Sequence, residues 1–166
     1  MPKTKKLALM ALLTALALIV FVIENQLPPP VPIPGVKLGL ANVVTLVSIY
    51  LLGKREAGMI LLVRILMGAM FAGSPSTLLF SAAGGALAYG LMCPLCGRFG
   101  ADRLWIVSAL GALAHNAGQL AVCALLVKTP GILAYVPILA LSGILTGVFT
   151  GLAAQYLLHA LKNTRI

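Results

Sequence analysis

The sequence predicts an all-helical integral membrane protein, and three observations carry that prediction. Hydrophobic residues make up 61% of the chain and charged residues 9%, whereas roughly a quarter of a soluble domain is charged. There are three acids, Glu24, Glu56 and Asp102. The apolar residues fall in long runs broken by short basic or Pro/Gly-rich stretches, the pattern of a chain that crosses a bilayer several times.

Six candidate spans follow from the runs: Leu7–Ile23, Leu38–Leu52, Ala57–Ala72, Thr77–Met92, Trp105–Val127 and Tyr135–Leu161. A spanning helix needs about 20 residues, so the second, third and fourth runs must stand nearly upright or thin the bilayer. Lys54, Arg55 and Glu56 argue against one continuous helix through the second and third runs. The basic residues then set the orientation. With the N-terminus inside, Lys3, Lys5, Lys6, Lys54, Arg55, Arg98, Arg103, Lys162 and Arg165 lie on the cytoplasmic side. Only Lys37 and Lys128 lie outside, and Arg64 falls within a span. This bias predicts six helices with both termini cytoplasmic, in a single transmembrane domain over residues 1–166. It also accounts for the formal charge of +9 without nucleic acid.

The first run has a basic leader, as a signal peptide does. Its apolar stretch is longer than a signal core and leads into Glu24-Asn25-Gln26 and prolines, so it reads as a retained helix. Cys93-Pro-Leu-Cys96 falls in a predicted cytoplasmic loop, where thiols stay reduced. One CxxC pair is half a zinc site, and no further ligands stand nearby; no metal or cofactor is expected. Cys123 reads as packing in an apolar helix.

The long outer connection, 24–37, carries Pro28, Pro29, Pro30, Pro32 and Pro34. Proline forbids helix here and favours a stiff extended strap. Its apolar residues suit a brace lying across the bundle or a lid over an outward pocket. Gly143, Gly147 and Gly151 repeat every four residues, as do Gly84 and Ala88, and Ala11 and Ala15. Such small faces let helices approach closely. The glycine row suits internal packing or, in a self-sufficient transporter, association between copies. The first helix has few polar groups holding it inward, so its small face could meet another membrane subunit.

Polar side chains inside a membrane are expensive and mark functional candidates. His115, Asn116 and Gln119 form the richest cluster, with His115 and Gln119 four apart on one helix face. At 1.5 Å per residue, His115 lies about 15 Å and Gln119 about 21 Å along the fifth helix. They read either as interhelical hydrogen-bonding groups or as a ligand site. Asn42, with Thr45 one turn on, and Lys37 stand at the mouth of the second helix, where Lys37 either snorkels or meets a ligand. Arg64 sits mid-helix with no acid in its own span. It bonds carbonyls, snorkels or binds an anionic group. In the Gly73-Ser-Pro-Ser76 turn, Ser74 or Ser76 is placed to cap the fourth helix.

Pro34–Leu46 (PGVKLGLANVVTL), the Arg64…Gly68 stretch, Ser81–Gly85 (SAAGG) and His115–Leu120 (HNAGQL) resemble the Gx transporter family. That family is often labelled heptaprenyl diphosphate synthase component I. Six short helices and a long first outer loop also resemble the S components of energy-coupling factor transporters. The resemblance implies an outward pocket roofed by the Pro-rich loop, with Lys37, Asn42, Arg64, His115, Asn116 and Gln119 as ligand contacts. It implies docking of Ala11 and Ala15 on a transmembrane coupling subunit, with ATPase subunits hydrolysing ATP elsewhere. This chain has no phosphate loop. The expected ligand is a small vitamin-, flavin- or quinone-precursor-like molecule, and the expected location is a bacterial cytoplasmic membrane. The rival is a non-catalytic membrane subunit assisting a prenyl diphosphate synthase or a quinone-pathway enzyme. Prenyl elongation needs magnesium held by paired Asp-rich motifs, and this chain has one aspartate, Asp102.

Overall fold

A computed structural model describes residues 2–27, 37–128 and 130–163. The strap prolines therefore lie outside the described residues. Six helices are present: α1 (Lys3–Gln26), α2 (Asn42–Leu52), α3 (Lys54–Ala72), α4 (Pro75–Arg98), α5 (Leu104–Val127) and α6 (Val136–Asn163). Short 3-10 turns, Ala101–Arg103 and Pro130–Tyr135, precede α5 and α6. Four segments, containing α1, α4, α5 and α6, are long and apolar enough to cross a membrane.

The helix boundaries have local causes. Gly53 adopts φ 99°, a backbone conformation that side-chain-bearing residues rarely take. It donates to the Ile49 carbonyl at 3.1 Å while its own carbonyl accepts from Ala57 at 3.1 Å. One residue thus ends α2 and starts α3, as the Lys54-Arg55-Glu56 break suggested. Gly73, left-handed at φ 62°, closes α3, and Pro75 opens α4 where a missing N–H costs nothing. Neither serine of that turn caps the helix through its side chain; Ser74 and Ser76 bond each other at 2.7 Å.

Most helices run a few residues beyond the expected spans, and two boundaries depart for identifiable local reasons. The second helix starts at Asn42, not Leu38, because Gly39 turns at φ 78° and Leu40 and Ala41 complete the turn. The helix is then 11 residues, about 16 Å long. The fourth helix runs on to Arg98 with Pro94 inside it, so Cys93 and Cys96 belong to its last turns and not to a loop. Both are free thiols.

Short α2 touches every other helix. Leu46, Val47 and Ser48 are fully enclosed, as expected of a helix apolar on all sides. Around it, α5 packs most extensively, on α4 and on α6. The glycine row explains the second interface. A Cβ on Gly147 would meet Ala109 Cα at 2.6 Å, and one on Gly151 would collide with the Trp105 backbone. Close backbone approach without a hydrophobic drive is what small residues permit in membrane bundles. Because this face is spent on α5, it is not free for self-association, which removes the homo-oligomeric use of the row.

The end of the bundle that carries the N-terminus is tied by polar contacts. Lys6 Nζ meets Glu56 Oε1 at 2.5 Å, the Tyr50 hydroxyl donates to the Phe99 carbonyl at 2.8 Å, and Tyr89 donates to the Lys54 carbonyl at 2.6 Å. His159 and Asp102 approach at 3.0 Å. The hydrogen bond from Lys6 holds the Glu56 carboxyl below its ordinary value of 4.5. A depressed carboxyl stabilises the folded state above that ordinary value, and the contribution disappears as pH falls through the folded value. Thermal midpoints of wild type and Glu56→Gln measured from pH 7 to 3 should differ at neutral pH and converge in acid. A gap independent of pH would dismiss the pair.

Candidate functional site

At the opposite end, α1, the segment 37–41, α3 and α5 bring polar residues together. The largest surprise is Glu24. It sits in the last turn of α1, 5% exposed, on the same stripe as Leu13, Ala17 and Phe21. Its carboxylate accepts hydrogen bonds from the backbone N–H groups of Gly39 and of Leu40, the latter at 3.2 Å. The sequence reading treated Glu24 as the flank of a span and found no acid for Arg64. The structure brings this acid from α1 into the same electrostatic neighbourhood as Arg64 and Lys37. The signal was present: one of only three acids, one turn inside the proline break.

The two cations share an aromatic platform. Lys37 Nζ lies 3.8 Å from the centre of the Phe21 ring, and the Arg64 guanidinium carbon lies 5.4 Å from it. Both distances are within cation–π range. Phe21 reaches this position because Gly68, one turn beyond Arg64, leaves room; a Cβ there would lie 2.9 Å from the ring. Arg64 is 3% exposed, and Lys37 Nζ is covered by protein without a hydrogen-bond partner. Neither snorkels.

The α5 cluster is brought together as the sequence suggested: His115, Asn116 and Gln119 are all buried. Their hydrogen bonds assign distinct roles. Gln119 Oε1 accepts the Lys37 backbone N–H at 3.1 Å, which leaves its Nε2 to donate to His115 Nε2 at 3.0 Å. In the neutral imidazole, Nδ1 then carries the proton. The ring is held between the Gly39 turn and Gly84 of α4, where added Cβ atoms would stand 2.9 and 2.7 Å away. Asn116 donates to the Leu139 carbonyl at 2.7 Å, joining α5 to α6. Asn42 is the first residue of α2 and is buried, with its amide nitrogen at the Gly39 turn.

Glu24 and Gln119 thus fasten the chain at 37–40, where it enters α2. At this clasp Lys37 Nζ and Asn42 Nδ2 are buried without hydrogen-bond partners, as is Asn116 Oδ1 on the side of α5 that faces α6, whereas His115 Nδ1 faces the Gly84 backbone. Each such orphan costs about 1–3 kcal/mol; a further one, Gln155 Oε1, lies apart from them in the second half of α6. The arrangement offers two unpartnered donors, Lys37 Nζ and Asn42 Nδ2, one acceptor, Asn116 Oδ1, and two cations. No group of three or more possible metal ligands occurs among the described residues.

A family model described as heptaprenyl diphosphate synthase component I matches residues 13–157. The chain belongs to this family. The matched span contains Glu24, Lys37, Asn42, Arg64, His115, Asn116 and Gln119, as well as Ala15, while Ala11 precedes it. The family description points towards prenyl synthesis. In this member Asp102 is 82% exposed on its side chain and lies beside His159, at the end of the bundle remote from the buried cluster. No curated protein and no solved structure matches this chain.

Away from the cluster, a cavity of about 850 Å³ lies at the N-terminal end of the bundle. Ala8 and Leu12 of α1, Tyr50 and Leu51 of α2, and Leu158 of α6 are among the residues lining it. On α1 the adjoining Ala11 and Ala15 are exposed, pointing away from the buried Leu13–Ala17–Phe21 stripe.

Proposed function

We propose that this chain is the substrate-binding membrane subunit of a transporter of the energy-coupling factor type. The observation that carries the reading is the set of buried, unpartnered polar atoms around the 37–40 clasp. Buried polar groups in native proteins are almost always satisfied, so the orphaned Lys37 Nζ, Asn42 Nδ2 and Asn116 Oδ1 favour a site that a ligand completes. The ligand is a small vitamin-, flavin- or quinone-precursor-like molecule, with polar atoms for Asn42, His115, Asn116 and the cations. Gln119 holds the site in shape from behind. The six helices all cross the bilayer of a bacterial cytoplasmic membrane, with both termini inside. The chain performs no chemistry itself. A transmembrane coupling subunit docks on Ala11 and Ala15, and separate ATPases supply energy.

The family description favours a second reading, a membrane companion of a prenyl diphosphate synthase. On either reading Asp102, the one aspartate of the chain and exposed, is a poor magnesium platform, since diphosphate-bridging ions take several oxygen ligands.

Native mass spectrometry of the protein gently extracted from its host membrane separates the two. A retained small molecule or a bound coupling subunit supports transport; an empty chain accompanied by a prenyl synthase overturns it. Gln119→Ala should weaken retention of that molecule about tenfold, because one lost buried hydrogen-bond set costs about 1–3 kcal/mol. The bundle should stay folded, and equal retention by mutant and wild type would remove Gln119 from the site.

A further inference from the structure

Charge does not balance around Phe21. Two cations, Lys37 and Arg64, face the ring, and a single acid, Glu24, stands in their neighbourhood. Among the described residues, the ion pairs are Lys6–Glu56 and His159–Asp102, both at the other end of the bundle. Neither Lys37 nor Arg64 has a carboxylate at ion-pair distance. Glu24 directs its carboxylate to the Gly39 and Leu40 amides and acts on the cations only from farther away. A buried charge left without a partner is strongly destabilising, and one aromatic face shared by two cations compensates it only in part.

We infer that the ligand is an anion, with one carboxylate or phosphate group seated against Lys37 Nζ and the Arg64 guanidinium beside Phe21. This rests on the ligand-binding reading of the site and gives it a substrate class: a molecule with one net negative charge and an apolar body. A single negative charge neutralises the cluster, whereas a second would face Glu24 without a cation to balance it. Arg suits the task because its planar fork takes two oxygens of one carboxylate or phosphate. The neutral polar atoms of the ligand fall to Asn42, His115 and Asn116. The same anionic chemistry is offered by a soluble nutrient and by a phospholipid head group.

The test uses the full chain in detergent at pH 7 with isosteric probes. Benzoate should raise the thermal midpoint and the neutral amide benzamide should not. Lys37→Gln should weaken benzoate binding about tenfold, the loss expected for one charge-assisted contact, and Lys37→Arg should restore it. Equal responses to benzoate and benzamide, or an unchanged benzoate response in Lys37→Gln, would overturn the inference. Lys37 is chosen because Arg64 variants risk misfolding. Dimethyl phosphate, and nanodiscs of phosphatidylglycerol against phosphatidylcholine, distinguish a free anion from a lipid head group. A neutral molecule co-purifying with a coupling subunit would overturn the anion while leaving the transport reading standing. Benzoate selectivity without any coupling subunit or retained substrate would do the reverse.

Discussion

Replacing Glu24 by Leu should destabilise the protein by about 3–5 kcal/mol, the cost of removing one partner from a buried charge cluster. The change strips the Gly39 and Leu40 N–H groups of their acceptor and leaves Lys37 and Arg64 with no opposing charge nearby. Unlike Glu24→Leu, Glu24→Gln keeps a carbonyl for the amides and should cost less. A double-mutant cycle isolates the electrostatic part. If Glu24 and Arg64 are coupled as argued, adding Arg64→Met to Glu24→Leu should recover part of the loss in denaturant-unfolding midpoint. Additive losses in the double mutant would mean that the carboxylate serves only as a backbone clasp.

The same cluster explains what the sequence made legible and what it did not. The helices were readable because long apolar runs with almost no acids favour helices over any other structure, and Gly53 between two runs marks a break. The glycine row on α6 was readable as a packing face. Its partner residues, Trp105, Ala109 and Asn116, were not, since helix pairing is a tertiary choice. The start of α2 was misplaced because Leu38, Gly39 and Leu40 are apolar and hydropathy does not register a left-handed turn. The end of α4 was misplaced because Pro94 looks like a terminator, although a neighbouring bundle tolerates proline within a membrane helix.

The candidate site was half legible for a related reason. His115, Asn116, Gln119, Asn42, Lys37 and Arg64 stood out as polar residues in apolar surroundings, and the structure gathers them at one end of the bundle. Their roles depend on contacts far apart in sequence. Gln119 bonds the backbone of Lys37, 82 residues away, so it supports the site from behind. Glu24 was passed over because an acid at the edge of an apolar run resembles a headgroup residue. Only the path of the chain through the Gly39 turn brings two amides onto it.

Substituting both Ala11 and Ala15 by Trp should cut co-purification with the coupling subunit at least about 30-fold. Overpacking a tight contact costs about 1–3 kcal/mol per site, and two sites on one face compound. Helix α1 is divided into two faces. Leu13, Ala17, Phe21 and Glu24 are buried against the bundle, and the alanines, exposed on the far side, touch nothing that the fold needs. Beside them, the cavity floored by Tyr50 and Leu51 leaves a concave surface between α1 and α6, shaped to receive a projecting side chain from a partner. The substitutions should therefore leave the thermal midpoint and the retained small molecule unchanged, because Phe21 and Glu24 keep their contacts. Loss of assembly with the site intact would place docking and binding on opposite faces of a single helix. Undiminished assembly would remove this face from the interface, and a fall in stability would show that the alanines belong to the bundle.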